Sequence, residues 1–395
     1  MTAGFASPRI LARDIASIAR PHEPWLRLED RLEAFCAAIE QANIDERDEL
    51  AATRRYVHEL ASAGLLRLVV PGEWGGEHER VSATAMCLTR QWLARVSGAL
   101  DTAFVMQGLG SYPLVLGGSP ELRRLVLPKV ARGELICGFA LTEPEAGSDV
   151  SGMQTIAEPL PDGGVLLHGD KTFISNAGVA DGYCVFAREA EDASSGKRRF
   201  GAFWVPATSE GLRITPLHVT APHPIGTLHF RSVAVPAAHR LGEPGKGLEI
   251  ALGNLDQFRT TVGAAALGIA DRAFSESVAH LRARVQFGKP LAQQQGLRFA
   301  LAQLAAEHVA AQLMVYRAAA VRDRGESGPD QPAMAKLLAT ELAQRVVDNC
   351  VQNFGGRGVL VGEVPERLYR EVRALRIYEG TSEIQKLIIA RALLG

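Results

Sequence analysis

The chain has 395 residues, 47% of them hydrophobic and 22% charged, an ordinary globular composition with room for a large core. Lys plus Arg number 43 against 44 for Asp plus Glu, which argues against the basic excess of a nucleic-acid binder. Five scattered cysteines without a CxxC pair argue against a disulfide framework or thiolate zinc site, and no stretch reaches the ~20 apolar residues of a membrane helix.

Residues 1–28 hold Pro8, Pro21 and Pro24 and read as an irregular N-terminal extension, an unstructured arm or an added helix. They hold no basic region followed by a long apolar run, so a cytoplasmic protein with buried free thiols is expected. From Leu28 to Leu66 apolar residues recur at helical spacing, among them Leu32, Phe35, Ile39, Val57 and Leu60. Pro71-Gly72-Glu73-Trp74-Gly75-Gly76 breaks this pattern. Helices resume from about Ser82 and run to Arg132-Gly133.

The pattern changes near Phe139. Val165–His168, Thr172–Ser175, Tyr183–Arg188, Gly201–Val205, Leu212–Pro216 and Gly226–Val235 have the length and composition of strands. Lys197-Arg198-Arg199 reads as a solvated hairpin loop. After Gly247 the helices return over about Leu248–Arg284, Leu291–Arg324, a span from Pro332 to Gly355-Gly356, and a last one after Thr381. The expected fold is therefore α+β: a helical domain at 29–138, a β-barrel-like domain at 139–246 and a C-terminal four-helix bundle at 247–395. The helix–strand–helix order argues against an alternating dinucleotide-binding sheet.

No phosphate-binding loop, zinc-protease motif or serine-nucleophile elbow is present, and the ten histidines form no ligand cluster, so no metal is expected. His223 and His229 read as satisfied structural residues.

Four segments carry chemistry. Leu141-Thr142-Glu143-Pro144-Glu145-Ala146-Gly147-Ser148-Asp149 offers hydroxyls and backbone amides suited to the polar edge of a flat cofactor. Lys171-Thr172-Phe173-Ile174-Ser175-Asn176 puts an aromatic ring and a hydroxyl near a strand end. Arg284-Val285-Gln286-Phe287-Gly288-Lys289-Pro290-Leu291, with Gln295 beyond, offers a guanidinium whose fork suits a pyrophosphate. Tyr378-Glu379-Gly380-Thr381-Ser382-Glu383-Ile384-Gln385 sets a carboxylate beside a glycine just before a helix capped by Thr381 or Ser382.

In this order and at these separations, the four segments resemble the signatures of the acyl-CoA dehydrogenase family, over nearly the whole chain from about residue 28. The resemblance implies non-covalent FAD and a homo-oligomer, a dimer or a tetramer built as a pair of dimers. It places Leu141 and Thr142 at the flavin ring, Ser148 between flavin and thioester, Phe173 flanking the flavin, and Ser175 near its N5. Arg284 and Gln295 match positions that grip the diphosphate and adenosine half of FAD from a neighbouring subunit, and Phe287 is a further cofactor position. Gln352, Gly356, Thr381 and Glu383 match the same cofactor site. Asp256 and Arg259 resemble a pair that contacts CoA, with Gly380 and Arg391 as further substrate positions.

The resemblance makes Glu379 the catalytic base. Some branches place that carboxylate just before the helical arginine instead, but here that position is Phe258. A solvated glutamate is too weak a base for a thioester α-proton. Closing the site on an acyl chain and a flavin raises its pKa toward neutrality, and hydrogen bonds to the thioester carbonyl stabilise the developing enolate. The flavin would take the β-hydrogen as hydride, giving a trans-2-enoyl-CoA and passing electrons to an electron-transfer flavoprotein. Elimination, decarboxylation or oxidase chemistry on the same scaffold is an alternative, and a non-enzymatic flavoprotein binding module another. The stretch Thr220-Ala221-Pro222-His223-Pro224-Ile225-Gly226-Thr227 departs from the family's Gly-rich pattern and reads as a variant turn.

Overall fold

The computed structural model describes residues 23–190, 198–326 and 328–395; most of the N-terminal extension and Lys197 lie outside them. Within that extension the first described helix, α1 (Glu23–Ala42), starts earlier than the position-28 onset expected from the apolar pattern. Pro24 stands in its first turn, where a missing N–H costs nothing. The described residues fall into two compact units. One takes the described part of Met1–Asn43 with Ser82–Asp101 and Phe258–Gly395; the other takes Ile44–Val81 and Thr102–Gln257.

The first unit is helical. Helix α3 (Ala83–Val96) packs on α1 and on α7 (Gln295–Asp323). Asp323 caps the N-terminus of α3, accepting from the Ser82 hydroxyl at 2.8 Å and from the amides of Ala83 and Thr84 at 2.6 and 3.0 Å. A carboxylate there meets both the orphan amides and the positive end of the helix dipole. Helix α8 (Asp330–Phe354) packs against α7, α9 (Val364–Ala374) and α10 (Ser382–Leu394). Helix α9 is an addition to the four-helix expectation. Leu368, Val372 and Leu375 give it a buried stripe at helical spacing, and Pro365 sits in its first turn.

The second unit holds α2 (Glu49–Ser62), α5 (Pro120–Ala131) and an eight-stranded sheet. Its strands are β1 (Cys137–Ala140), β2 (Ile156–Pro159), β3 (Val165–Ser175), β4 (Gly182–Glu189), β5 (Arg199–Pro206), β6 (Leu212–Pro216), β7 (Ile225–Val235) and β8 (Arg240–Leu241). The order is β6-β7-β3-β2-β4-β5-β8, with β1 paired to β4. Pairs are antiparallel except those of β4 with β1 and β2. The two short strands read around Gly169-Asp170 are one continuous strand, β3. Its pairing with β7 slips at Leu167/His168 and again at Lys171/Ile174, so the turn-like residues mark irregularities within the strand.

Helix α4 (Gly98–Gly117) and helix α6 (Gly247–Ala283) each begin in one unit and end in the other. All five cysteines are buried free thiols. Burial pushes Cys36 up to about 12, which makes it inert as a nucleophile.

Candidate active site

In the helical unit, Glu379 lies between α9 and α10 with φ of 54°, and Gly380 follows at 93°. A left-handed glutamate is sterically disfavoured and persists only when its surroundings impose it. Here the surroundings hold the carbonyls. Lys336 of α8, fully buried, donates its ammonium to the Gly380 carbonyl at 2.7 Å. Gln385, also fully buried, donates its amide to the same oxygen at 2.8 Å and to the Glu379 carbonyl at 3.3 Å. The Thr381 hydroxyl then caps α10, accepting from the Ile384 amide at 3.3 Å.

The carboxylate itself is left unmatched. Glu379 Oε2 is sealed from solvent and has no hydrogen-bond partner among the described residues. Burial raises the Glu379 pKa, while Arg90, Lys336 and Arg259 pull it down and Asp101 adds to the rise. Arg90 is buried on α3. It grips Asp101 with two hydrogen bonds of 2.8 and 2.6 Å and donates to the Thr261 hydroxyl at 2.9 Å. Burial lowers the Lys336 pKa to about 8, against the attraction of Glu379. The result is a half-buried glutamate of raised basicity, with its sealed Oε2 unspent, on a clamped backbone. Lys336, Arg90 and Asp101 were not singled out by sequence reasoning, and Gln385 closed the fourth segment without a role of its own. A lysine at position 336, flanked by the buried Ala333, Ala335 and Ala339, was the available signal.

In the other unit, the first two segments meet. Lys171 and Glu143 form a buried ion pair at 2.7 Å, and Lys171 also donates to the Leu141 carbonyl at 2.9 Å. Glu143 accepts further from the amides of Gln154 and Thr155 at 2.5 and 3.0 Å. The Thr172 amide bonds the Thr142 carbonyl at 2.9 Å. These bonds fix Thr142 between two pinned neighbours, with no hydrogen bond from its hydroxyl among the described residues. Phe173 falls inside the second slip of β3, with φ of 55° and 62% of its surface exposed. Ser175 at the strand end lies 3.1 Å from the His223 ring. Ser148 is exposed in its loop.

No ligand accompanies the chain, but the donor chemistry of this edge fits the flavin ring of FAD. A bare aromatic face lies two residues from a hydroxyl, and an unspent hydroxyl is held on the adjoining segment. His229 has the structural role expected of it, bonded to Asp170 at 2.7 Å and Thr215 at 3.0 Å. His223 is satisfied as well, by the Ala221 carbonyl at 3.0 Å and Ser175 at 3.1 Å.

The remaining positions are mostly at the surface. Arg284, Phe287, Gln295, Gln352, Gly356, Glu383 and Arg391 are exposed, while Arg259 is buried and Asp256 half-buried on α6. Phe287 and Gly288 form a two-residue turn between the short strands Val285–Gln286 and Lys289–Pro290. Both have positive φ, and Phe287 is 93% exposed. Phe258 is fully buried.

Comparison with known proteins gives these segments a context. Sequence models for the N-terminal, middle and C-terminal domains of acyl-CoA dehydrogenases match residues 26–134, 138–233 and 245–394. Cyclohexane-1-carbonyl-CoA dehydrogenase of Geobacter metallireducens is 34% identical over 339 residues, 85% of this chain and 88% of that protein. The structure of butyryl-CoA dehydrogenase from Megasphaera elsdenii superposes with a TM-score of 0.86 at 32% identity, covering 94% of this chain and 98% of that one. An acyl-CoA dehydrogenase from Bacillus anthracis complexed with FAD superposes with a TM-score of 0.81 at 29% identity, covering 100% of this chain and 68% of that one. With three consecutive domain models spanning it, the chain belongs to the acyl-CoA dehydrogenase family.

Proposed function

We propose that the chain is an FAD-dependent acyl-CoA dehydrogenase that desaturates a thioester between its α and β carbons, with Glu379 as the base. The observation that carries this is the unmatched Oε2 of a carboxylate whose pKa is raised by burial. Glu379 takes the α-proton at that oxygen. Lys336 and Gln385 hold the backbone from which the carboxylate extends. Arg90 and Lys336 receive the negative charge in the resting state, and lose part of that attraction when Glu379 is protonated. When bound, FAD supplies the acceptor for the β-hydrogen.

On this reading Leu141, Thr142, Ser148, Phe173 and Ser175 hold the flavin end, and Thr381 and Glu383 contribute to the same site. Arg284, Phe287, Gln295, Gln352 and Gly356 hold the diphosphate and adenosine half on a second copy of the chain. Their exposure supports that assignment. Ser148, Asp256, Arg259, Gly380 and Arg391 contact the CoA thioester. The domain limits 29–138, 139–246 and 247–395, a homodimer or homotetramer, and an electron-transfer flavoprotein as acceptor complete the proposal. Among the described residues no helix is long and apolar enough to cross a membrane.

The test is anaerobic addition of a panel of CoA thioesters, straight-chain, branched and alicyclic, to the FAD-loaded protein. One class bleaches the flavin absorbance and yields the enoyl-CoA. Glu379→Gln retains FAD and thioester binding and loses about a thousandfold or more in reduction rate, the scale of a removed general base. Bleaching by no thioester, or an unchanged rate in the variant, defeats the reading.

A further inference from the structure

The loop that departs from the family pattern, 220–227, is tied to the strand that carries Phe173 and Ser175. Thr227 and Thr172 share a hydroxyl–hydroxyl hydrogen bond of 2.9 Å, and the Asn176 amide donates to the Pro224 carbonyl at 2.7 Å. Between these ties stands His223, flanked by Pro222 and Pro224, whose rings restrict the backbone on both sides. Its two nitrogens are both engaged. Nδ1 lies 3.0 Å from the Ala221 carbonyl oxygen, and Nε2 lies 3.1 Å from Ser175 Oγ.

A carbonyl oxygen only accepts, so Nδ1 carries the ring hydrogen. Burial lowers the His223 pKa, which leaves the imidazole neutral near pH 7. Nε2 is then a bare lone pair, and the hydroxyl of Ser175 donates to it. Serine has one hydrogen, and it is spent. What Ser175 offers any other partner is oxygen lone pairs.

We propose that His223 is a positioning residue that orients the Ser175 hydroxyl, so that Ser175 meets the bound flavin as a hydrogen-bond acceptor. This rests on the functional reading above, in which Ser175 adjoins the flavin N5. Oxidised N5 is an acceptor and gains nothing from a second acceptor. Reduced N5 carries a hydrogen and is satisfied by one. The His223–Ser175 pair therefore favours the two-electron-reduced cofactor over the oxidised one and makes the bound flavin a stronger oxidant of its substrate.

The experiment compares the FAD-loaded wild type with His223→Phe, His223→Gln, Ser175→Ala and the Ser175→Ala/His223→Phe double variant. The readout is the two-electron midpoint potential, from anaerobic reductive titration against a reference dye. Phe keeps the ring volume and frees the serine hydrogen to serve oxidised N5. Its reduction equilibrium falls about tenfold, equivalent to ~30 mV. Gln restores an acceptor oxygen and returns the potential toward that of the wild type. In the Ser175→Ala background the His223→Phe shift disappears, as a coupled pair requires. A wild-type potential in His223→Phe, or an undiminished shift without Ser175, overturns the proposal alone. Failure of the wild type to take up FAD overturns the functional reading and this proposal together.

Discussion

The Lys171–Glu143 pair is the best place to test the account of the flavin edge, because both partners are nearly free of solvent contact and every bond they make is known. Lys171 is 0% exposed and Glu143 5%. Burial lowers the Lys171 pKa to about 8, while Glu143 stays charged, held below its ordinary value by Lys171 and two amides against the cost of its own burial. Lys171→Met removes one charge and strands the other. Breaking a buried pair in this way costs ~3–5 kcal/mol. Glu143 keeps the amides of Gln154 and Thr155, so the lower figure applies, and ~3 kcal/mol is roughly a 150-fold change in an opening equilibrium. The loss should appear in urea denaturation followed through the buried Trp204 of β5, and as faster hydrogen exchange at the Thr155 amide. Because Lys171 also anchors the Leu141 carbonyl, FAD affinity should fall about tenfold, one hydrogen bond to a charged group. Glu143→Gln alone should be as damaging, since it leaves a buried ammonium half-paired. The double variant Lys171→Met/Glu143→Gln should recover at least ~2 kcal/mol relative to the sum of the single changes. A coupling below ~0.5 kcal/mol would show that the loop is held by something other than this pair.

Three further outcomes are expected. As the proposed base, Glu379 would work ionised, and burial raises its pKa, so kcat/KM should climb with pH through an apparent pKa above the ~4.3 of an ordinary glutamate; a limb at or below that value contradicts the proposal. Lys336→Met deletes the bond to the Gly380 carbonyl and a cation that favours ionised Glu379, so kcat should fall about tenfold with KM little changed, and the acidic limb should move upward. An unmoved limb would reduce Lys336 to a packing residue. Gly380→Ala forces a Cβ onto a left-handed residue and brings it within 2.6 Å of Gln385 Nε2, so reduction by substrate should slow at least ~tenfold at a stability cost of about 1–2 kcal/mol, with FAD uptake intact in absorbance titrations.

What the sequence made legible was punctuation and period. The change at Phe139, the return of long helices after Gly247 and the helix start at Thr381 are all written in local residue choice, and the structure has them. Glu379 was legible locally only as a carboxylate beside a glycine and a helix cap, and the role of base came from the resemblance. Local signals misled where long-range pairing decided the outcome. Gly169-Asp170 looks like a turn, yet β7 carries β3 straight through it by absorbing a slip in register. Lys336 looks like a solvated helix residue until the carbonyl of Gly380, 44 positions away, provides a place for its charge. His223 looks like filler in a stiff turn until the strand beside it brings Ser175 within 3.1 Å. Helix α9 was within reach, because Leu368, Val372 and Leu375 repeat at helical spacing among its many charges.

The left-handed backbone at Glu379 has an evolutionary consequence. A glutamate at φ of 54° with a sealed, unmatched carboxylate oxygen costs the fold ~1–3 kcal/mol that a glycine at the same position would not. Selection for stability alone would favour a glycine there, so on the proposed reading the carboxylate is kept for turnover. On the proposed reading, position 379 is thus where catalysis and durability ask for different residues.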